Sequence, residues 1–202
     1  RKEAKVVVSS IESACERTIP VKKLEESILT IDSDGQYDCE KIVEKLVAMG
    51  YQRRDQVEGI CQFARRGGIL DIFPPDRTDP VRIEFWDDEI DMMSSFQVDT
   101  QRRQDPVDKV TIPPAREVLF DSPQALIDLL NKQVEAQKGK TGVKVKEHLE
   151  RDIERLDGGL SPVSIDRYLP ILYEPTTIFD YFEADAMTFL CEPISCKENF
   201  SN

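Results

Sequence analysis

Apolar residues change their spacing several times along the chain, and each change marks an element. The opening Val6-Val7-Val8-Ser9 reads as a strand, followed by a short helical stretch around Ile11 to Cys15 that must stop before Pro20. An opening strand with no partner nearby suggests a chain that starts inside a larger domain, although a strand pairing with a distant segment would look identical. From Asp38 the pattern is helical: a capping carboxylate, then Ile42, Val43, Leu46 and Val47 on one face, then Gly50 as a stop. Beyond it the period falls to two. Short apolar runs at Cys61 to Ala64, Ile69 to Phe73, Val81 to Trp86 and Ile90 to Val98 are bounded by Gly, Pro or Asp clusters, as in an antiparallel meander. Pro74-Pro75-Asp76 and Asp87-Asp88 supply turns of hairpin length.

A Pro-containing stretch, Pro106 to Pro114, separates the strands from a helical block running from about Pro123 to Leu156, which is interrupted near Gly139 to Gly142 and ended by Gly158-Gly159. A C-terminal region with Tyr168, Tyr173, Phe179, Tyr181 and Phe182 follows, its aromatics expected to pack rather than to form a binding platform. The strand-rich module is expected to bury Ile42, Leu46, Ile69, Ile72, Ile83 and Phe85. The fold class is therefore α+β, a mainly antiparallel sheet module with packed helices followed by a helical and mixed α/β segment.

Composition narrows the function. With a formal net charge of -12 over 202 residues, broad attraction to phosphates is disfavoured, because such binding needs Lys and Arg to displace counterions. No apolar run approaches the ~20 residues that cross a bilayer, and Val6-Val7-Val8 is too short for a signal-peptide core; a cytoplasmic protein is expected. Cys15, Cys39, Cys61, Cys191 and Cys196 are odd in number and irregular in spacing, unlike a disulfide framework. With His148 alone beside Cys191 and Cys196, soft ligands for zinc are too few, and no metal or other cofactor is expected.

Catalytic signatures are missing as well. No Gly-x-x-x-x-Gly-Lys-Ser/Thr loop is present, so the phosphate cradle of a nucleotide-hydrolysing enzyme is lacking. His148 lies in a charged helical stretch and reads as solvated, and Asp87-Asp88-Glu89 with Asp91 reads as a turn and strand edge rather than a metal site. A chain without catalytic groups is expected to work by recognition.

Two stretches carry residues suited to that. In Pro-Val-Arg-Ile-Glu-Phe-Trp, residues 80 to 86, alternation sends Val81, Ile83 and Phe85 to one face, the core, and Arg82, Glu84 and Trp86 to the other, which should be exposed. Trp beside Arg has the composition of an interface hot spot; a surface pair of Arg82 with Glu84 under Trp86 is the plainer alternative. In Phe63-Ala64-Arg65-Arg66-Gly67-Gly68 the paired glycines imply a sharp bend that presents Arg66. Together with Arg53-Arg54 and Arg102-Arg103 these doublets could be phosphate contacts, although interleaved acids keep the block from being basic.

Several of these stretches, namely Gly50-Tyr51, Gln-Phe-Ala-Arg-Arg-Gly-Gly-Ile-Leu-Asp-Ile-Phe-Pro, Pro-Val-Arg-Ile-Glu-Phe-Trp-Asp-Asp-Glu-Ile and Asp99-Thr100-Gln101-Arg102, resemble the UvrB-homologous region of bacterial repair proteins. The excision-repair helicase UvrB and the transcription-repair coupling factors share that region. Ile112-Pro113-Pro114-Ala115-Arg116-Glu117 and the late Leu-Tyr-Glu-Pro-Thr-Thr-Ile-Phe-Asp-Tyr-Phe are more similar to the coupling factors. The resemblance implies a UvrA-binding module at residues 29–115, inserted between the end of the first part of a degenerate helicase-like domain (1–28) and its second part (116–202). It also implies UvrA as partner, with RNA polymerase and DNA engaged through other domains of the full-length, ATP-driven family members. The family's UvrA-contacting positions correspond to Arg66, Arg82 and Trp86; relatives carry Phe at the last, so Trp86 adds bulk and an N–H donor. The alternative is a nucleic-acid-binding piece of a UvrB-like helicase, with Arg53, Arg54, Arg65 and Arg66 on phosphates.

Overall fold

The computed structural model describes residues 6–120, 122–137, 139–158, 162 and 164–200. Its class is α+β, with two sheets and seven helices among the described residues. Val6 to Ser9, expected as a strand, is exposed and takes no sheet partner among the described residues, so its apolar side chains have no face to cover. The helix after it, α1 (Ile11–Cys15), is capped by Ser10. Pro20 then opens a helix that the spacing did not announce, α2 (Val21–Ser27).

A small antiparallel pair joins β1 (Leu29–Asp32) to β8 (Lys109–Ile112), so the ends of the strand-rich module meet each other. The Pro-containing stretch is thus not devoid of structure. Lys109-Val110-Thr111-Ile112 alternates polar with buried apolar residues as a half-buried strand should.

Helix α3 (Cys39–Ala48) follows its sequence signals closely. The Asp38 side chain accepts from the Glu40 and Lys41 amides, satisfying two orphan donors of the first turn. At the other end the Tyr51 amide donates to the Leu46 carbonyl and the Gly50 amide to that of Val47, with Gly50 at φ 91°. Ile42, Val43 and Leu46 are buried, whereas Val47, expected on the same face, points to solvent.

The main sheet has six strands in the order β2 (Gln52–Arg53), β3 (Gln62–Arg66), β4 (Ile69–Phe73), β5 (Val81–Trp86), β6 (Glu89–Phe96), β7 (Arg103–Pro106). From β3 to β6 it is the expected antiparallel meander; β2 pairs with β3 in parallel at one edge. One face packs Phe63, Leu70, Ile72, Val81, Ile83 and Met93 against α3. Each such burial contributes about 1.5–3 kcal/mol. Phe85 joins this cluster at its margin, but Ile69 does not: it is an odd number of residues from Ile72 and so faces the other way, and Leu70 fills the core position.

Helices α4 (Pro123–Ala136) and α5 (Gly139–Asp157) pack as a pair around Leu126, Ile127, Leu130, Leu149 and Leu156. Tyr168 completes this second core, and Asp152 is buried beneath it, accepting from Tyr168 and Arg167. The break between α4 and α5 falls just ahead of Gly139, Gly142 lies within α5, and Gly158 ends the helix while Gly159 lies outside the described residues. His148 is exposed on α5, as expected for a charged face. Of the late aromatics, the Tyr173 hydroxyl accepts from the Leu119 amide at 3.0 Å, whereas Phe179 and Phe182 form an exposed edge-to-face pair. Helices α6 (Leu169–Leu172) and α7 (Pro193–Phe200) complete the chain.

Candidate docking site

The face of the main sheet turned away from α3 holds the residues singled out for recognition, and it is organised by a residue that was not singled out. Asp71, on β4, is 0% exposed. Strand parity places it between Leu70 and Ile72 but on the opposite face, directly across from Arg82 on β5. Arg82 grips it bidentately, Nε to Oδ1 at 2.7 Å and Nη2 to Oδ2 at 2.8 Å. Arg66, at the end of β3, adds Nη2 to Oδ2 at 2.7 Å. One buried carboxylate therefore holds two guanidiniums, which do meet in space. Hydrogen bonding to Asp71 raises the Arg82 pKa further above its ordinary value, against the opposing effect of burial.

Arg82 is not the exposed side chain that alternation implied; only 12% of it is accessible. Its remaining donors reach Gln101, with Nη1 on the carbonyl at 3.2 Å and Nη2 on Oε1 at 3.3 Å, and its guanidinium lies 4.5 Å from the centre of the Phe96 ring. Gln101 adopts φ 58° and donates to the Val98 carbonyl at 2.7 Å, folding the loop after β6 over the sheet. Val57, Ala64, Phe73 and Phe96 form a second apolar cluster beside the ion pairs. Period-two alternation assigns a residue to a face; it does not say whether a loop covers that face.

Arg66 and Trp86 are the accessible members of the trio, the side chain of Arg66 at 44% and Trp86 at 79%. Arg66 ends its strand at the two-residue turn Gly67-Gly68, where Gly67 takes φ 60°. Gly68 leaves no room for a side chain: a Cβ there would sit 2.8 Å from the Phe85 carbonyl oxygen. The Phe85 amide donates to the Gly68 carbonyl at 2.8 Å, which ties this turn to the strand that ends at Trp86. Trp86 lies at the tip of the next hairpin, opposite Glu89, with Asp87 in the left-handed region at φ 58°. Glu84 pairs with Arg103, not with Arg82.

Beside this face, at the β2 edge, a groove of about 570 Å³ is lined by Arg53, Arg54, Asp55, Arg65 and Arg66. Arg65 is held by Glu40 of α3, and Arg54 donates to Gln52 Oε1 at 2.8 Å.

These features sit in a stretch with known relatives. Residues 29–118 match the UvrB interaction domain family. All three residues expected at the contact, with Asp71 and Gln101, lie inside that match. The chain as a whole is 30% identical over 198 residues to a transcription-repair-coupling factor of Bacillus subtilis (strain 168), covering 94% of this chain and 17% of that protein. It is 31% identical over 188 residues to the factor of Staphylococcus aureus (strain MRSA252), covering 89% of this chain and 16% of that protein. The chain thus spans about a sixth of the length of these relatives. The signal for Asp71 was present in the sequence all along: a carboxylate in an otherwise apolar strand must be paired, and an arginine stood on the neighbouring strand. Gln101 carried no such signal, because its role depends on a loop conformation.

Proposed function

We propose that residues 29–115, a UvrA-interaction module within the stretch similar to the UvrB interaction domain family, dock UvrA through a surface centred on Arg66, Arg82 and Trp86, and that the chain is the non-catalytic UvrA-recruiting part of a transcription-repair coupling factor. In that role it brings UvrA to transcription-coupled nucleotide excision repair in the cytoplasm. RNA polymerase and DNA are engaged by other domains of the longer protein, and residues 1–28 and 116–202 are parts of its helicase-like domain. The observation that carries the reading is an exposed Trp86 on the same sheet face as an Arg66 whose guanidinium is pre-positioned by Asp71, within a UvrB interaction domain match. An aromatic anchor on the same face as a fixed guanidinium suits a partner surface that offers an apolar pocket and a carboxylate. Arg82, with four hydrogen bonds already made to Asp71 and Gln101, contributes by fixing the cluster.

The test is to mix the protein with UvrA at about 10 μM each, well above the dissociation constant of a specific complex, and resolve the mixture on a sizing column. Co-elution is expected; separate peaks would contradict the reading. A nucleic-acid reading is favoured by one observation, the arginine-lined groove, and predicts tight DNA binding without UvrA and with a steep salt slope in a gel-shift assay.

A further inference from the structure

The groove at the β2 edge is a local reversal of the molecule's charge. In a chain of net charge -12, the described lining of this groove is four arginines, Arg53, Arg54, Arg65 and Arg66, and one carboxylate, Asp55, with Asp38, Glu40 and Asp71 nearby. The carboxylates are not evenly shared. Asp71 is buried and divided between Arg66 and Arg82, and Glu40 is taken by Arg65, while among the described residues neither Arg53 nor Arg54 is paired with a carboxylate. Arg53 and Arg54 are both exposed, on the short edge strand and just after it, and the Arg54 amide is tied to the Phe63 carbonyl at 2.9 Å. Two solvent-facing guanidiniums on a fixed backbone thus flank a concave surface continuous, through Arg66, with the docking face.

We propose that this groove binds a carboxylate-rich segment of a protein partner, with Arg53 and Arg54 as its anchors. The inference rests on the docking reading for the identity of the partner, but not for the chemistry of the groove. Carboxylates are favoured over a nucleic-acid backbone by two features. Asp55 lies in the lining, and a strand with a phosphate at every nucleotide would be driven against it, whereas a peptide can place an amide N–H there and carboxylates on either side. The surrounding negative charge also opposes the extended counterion exchange that gives nucleic-acid binding its strength, while leaving a short acidic segment steered to the one cationic spot.

The experiment uses the whole chain and two fluorescent probes, a labelled hexaglutamate and a labelled hexathymidylate, in anisotropy titrations at low ionic strength. Hexaglutamate is expected to bind at least as tightly as hexathymidylate. The double variant Arg53→Ala, Arg54→Ala should lower its affinity by roughly tenfold, and Lys22→Ala, which removes an exposed cation of α2 outside the groove, should leave it unchanged. Both substituted arginines are exposed, so the variant should melt as the parent does, which circular dichroism checks. Tighter binding of the oligonucleotide, no binding of the peptide, or peptide binding indifferent to the double variant would each overturn the proposal. Parallel UvrA titrations separate the two readings: peptide capture with no UvrA binding would keep the groove and remove the docking role, and UvrA binding with no peptide capture would do the reverse.

Discussion

On one face of the six-stranded sheet, Phe63, Leu70, Ile72, Val81 and Ile83 close against α3; on the other, Asp71 and Arg82 close beneath the loop that carries Gln101, with Arg66 half-exposed at their rim. Both faces are well shielded, but by different physics. The first gains from removing apolar area from water, roughly 25 cal/mol per Å². The second holds charges that are costly to bury and tolerable only because each is answered. An apolar face degrades in proportion to what is removed, whereas a paired ionic cluster fails when one member goes. Function is proposed for the second face because fixed, partly exposed guanidiniums are of use to a partner and buried methyl groups are not.

The contrast is broken most forcefully at Asp71. Asp71→Ala leaves two guanidiniums facing each other without their common acceptor and should cost about 3–5 kcal/mol in denaturant unfolding. Ile83→Ala, on the apolar face, should cost about 3 kcal/mol for a cavity of ordinary kind. If Asp71→Ala proved milder than Ile83→Ala, the ionic cluster would not be what holds its face together.

Next in size is the difference between the two arginines. Arg82→Ala removes a bidentate, largely buried partner and should destabilise by about 2 kcal/mol, while Arg66→Ala removes a half-exposed one and should cost under about 1 kcal/mol. Alternation alone treats Arg82 as a surface residue whose removal is silent. Equal melting temperatures for the two variants would return it to that status.

A smaller effect probes the apolar cluster with pH. Burial pushes the Tyr51 phenol well above its ordinary value, and its hydroxyl donates to the Pro113 carbonyl at 2.8 Å. The unfolded chain loses that proton near pH ~10, whereas the folded chain retains it. Stability should therefore be intact below about pH 10 and decline as pH rises beyond it. Tyr51→Phe should lose about 1 kcal/mol at neutral pH and show a shallower alkaline decline. An unchanged slope would mean that Tyr51 does not set it.

How much of this was legible in the sequence follows from the range of the interactions involved. The cap at Asp38, the stop at Gly50, the meander and the turn at Gly67-Gly68 are set by neighbours a few residues apart, and they were readable. The pairing of β1 with β8 joins residues about eighty positions apart, and the parallel edge strand β2 is only two residues long; no local pattern announces either. Ile69 was misplaced by neglecting parity within its own strand, an error the sequence could have prevented. The burial of Arg82 could not be read, because it depends on Gln101 and the loop that carries it. Arg66 and Trp86 kept the exposure expected of them, since hairpin tips are seldom covered.

Trp86 is therefore the cleanest probe of the docking account, being exposed and not a member of the ion pairs that confound Arg82. Trp86→Ala should change folding stability by less than about 0.5 kcal/mol. By isothermal titration calorimetry it should weaken UvrA binding by about 2 kcal/mol, roughly thirtyfold. A variant that folds like the parent and binds UvrA with the parent's affinity would contradict the claim that this face is where UvrA docks.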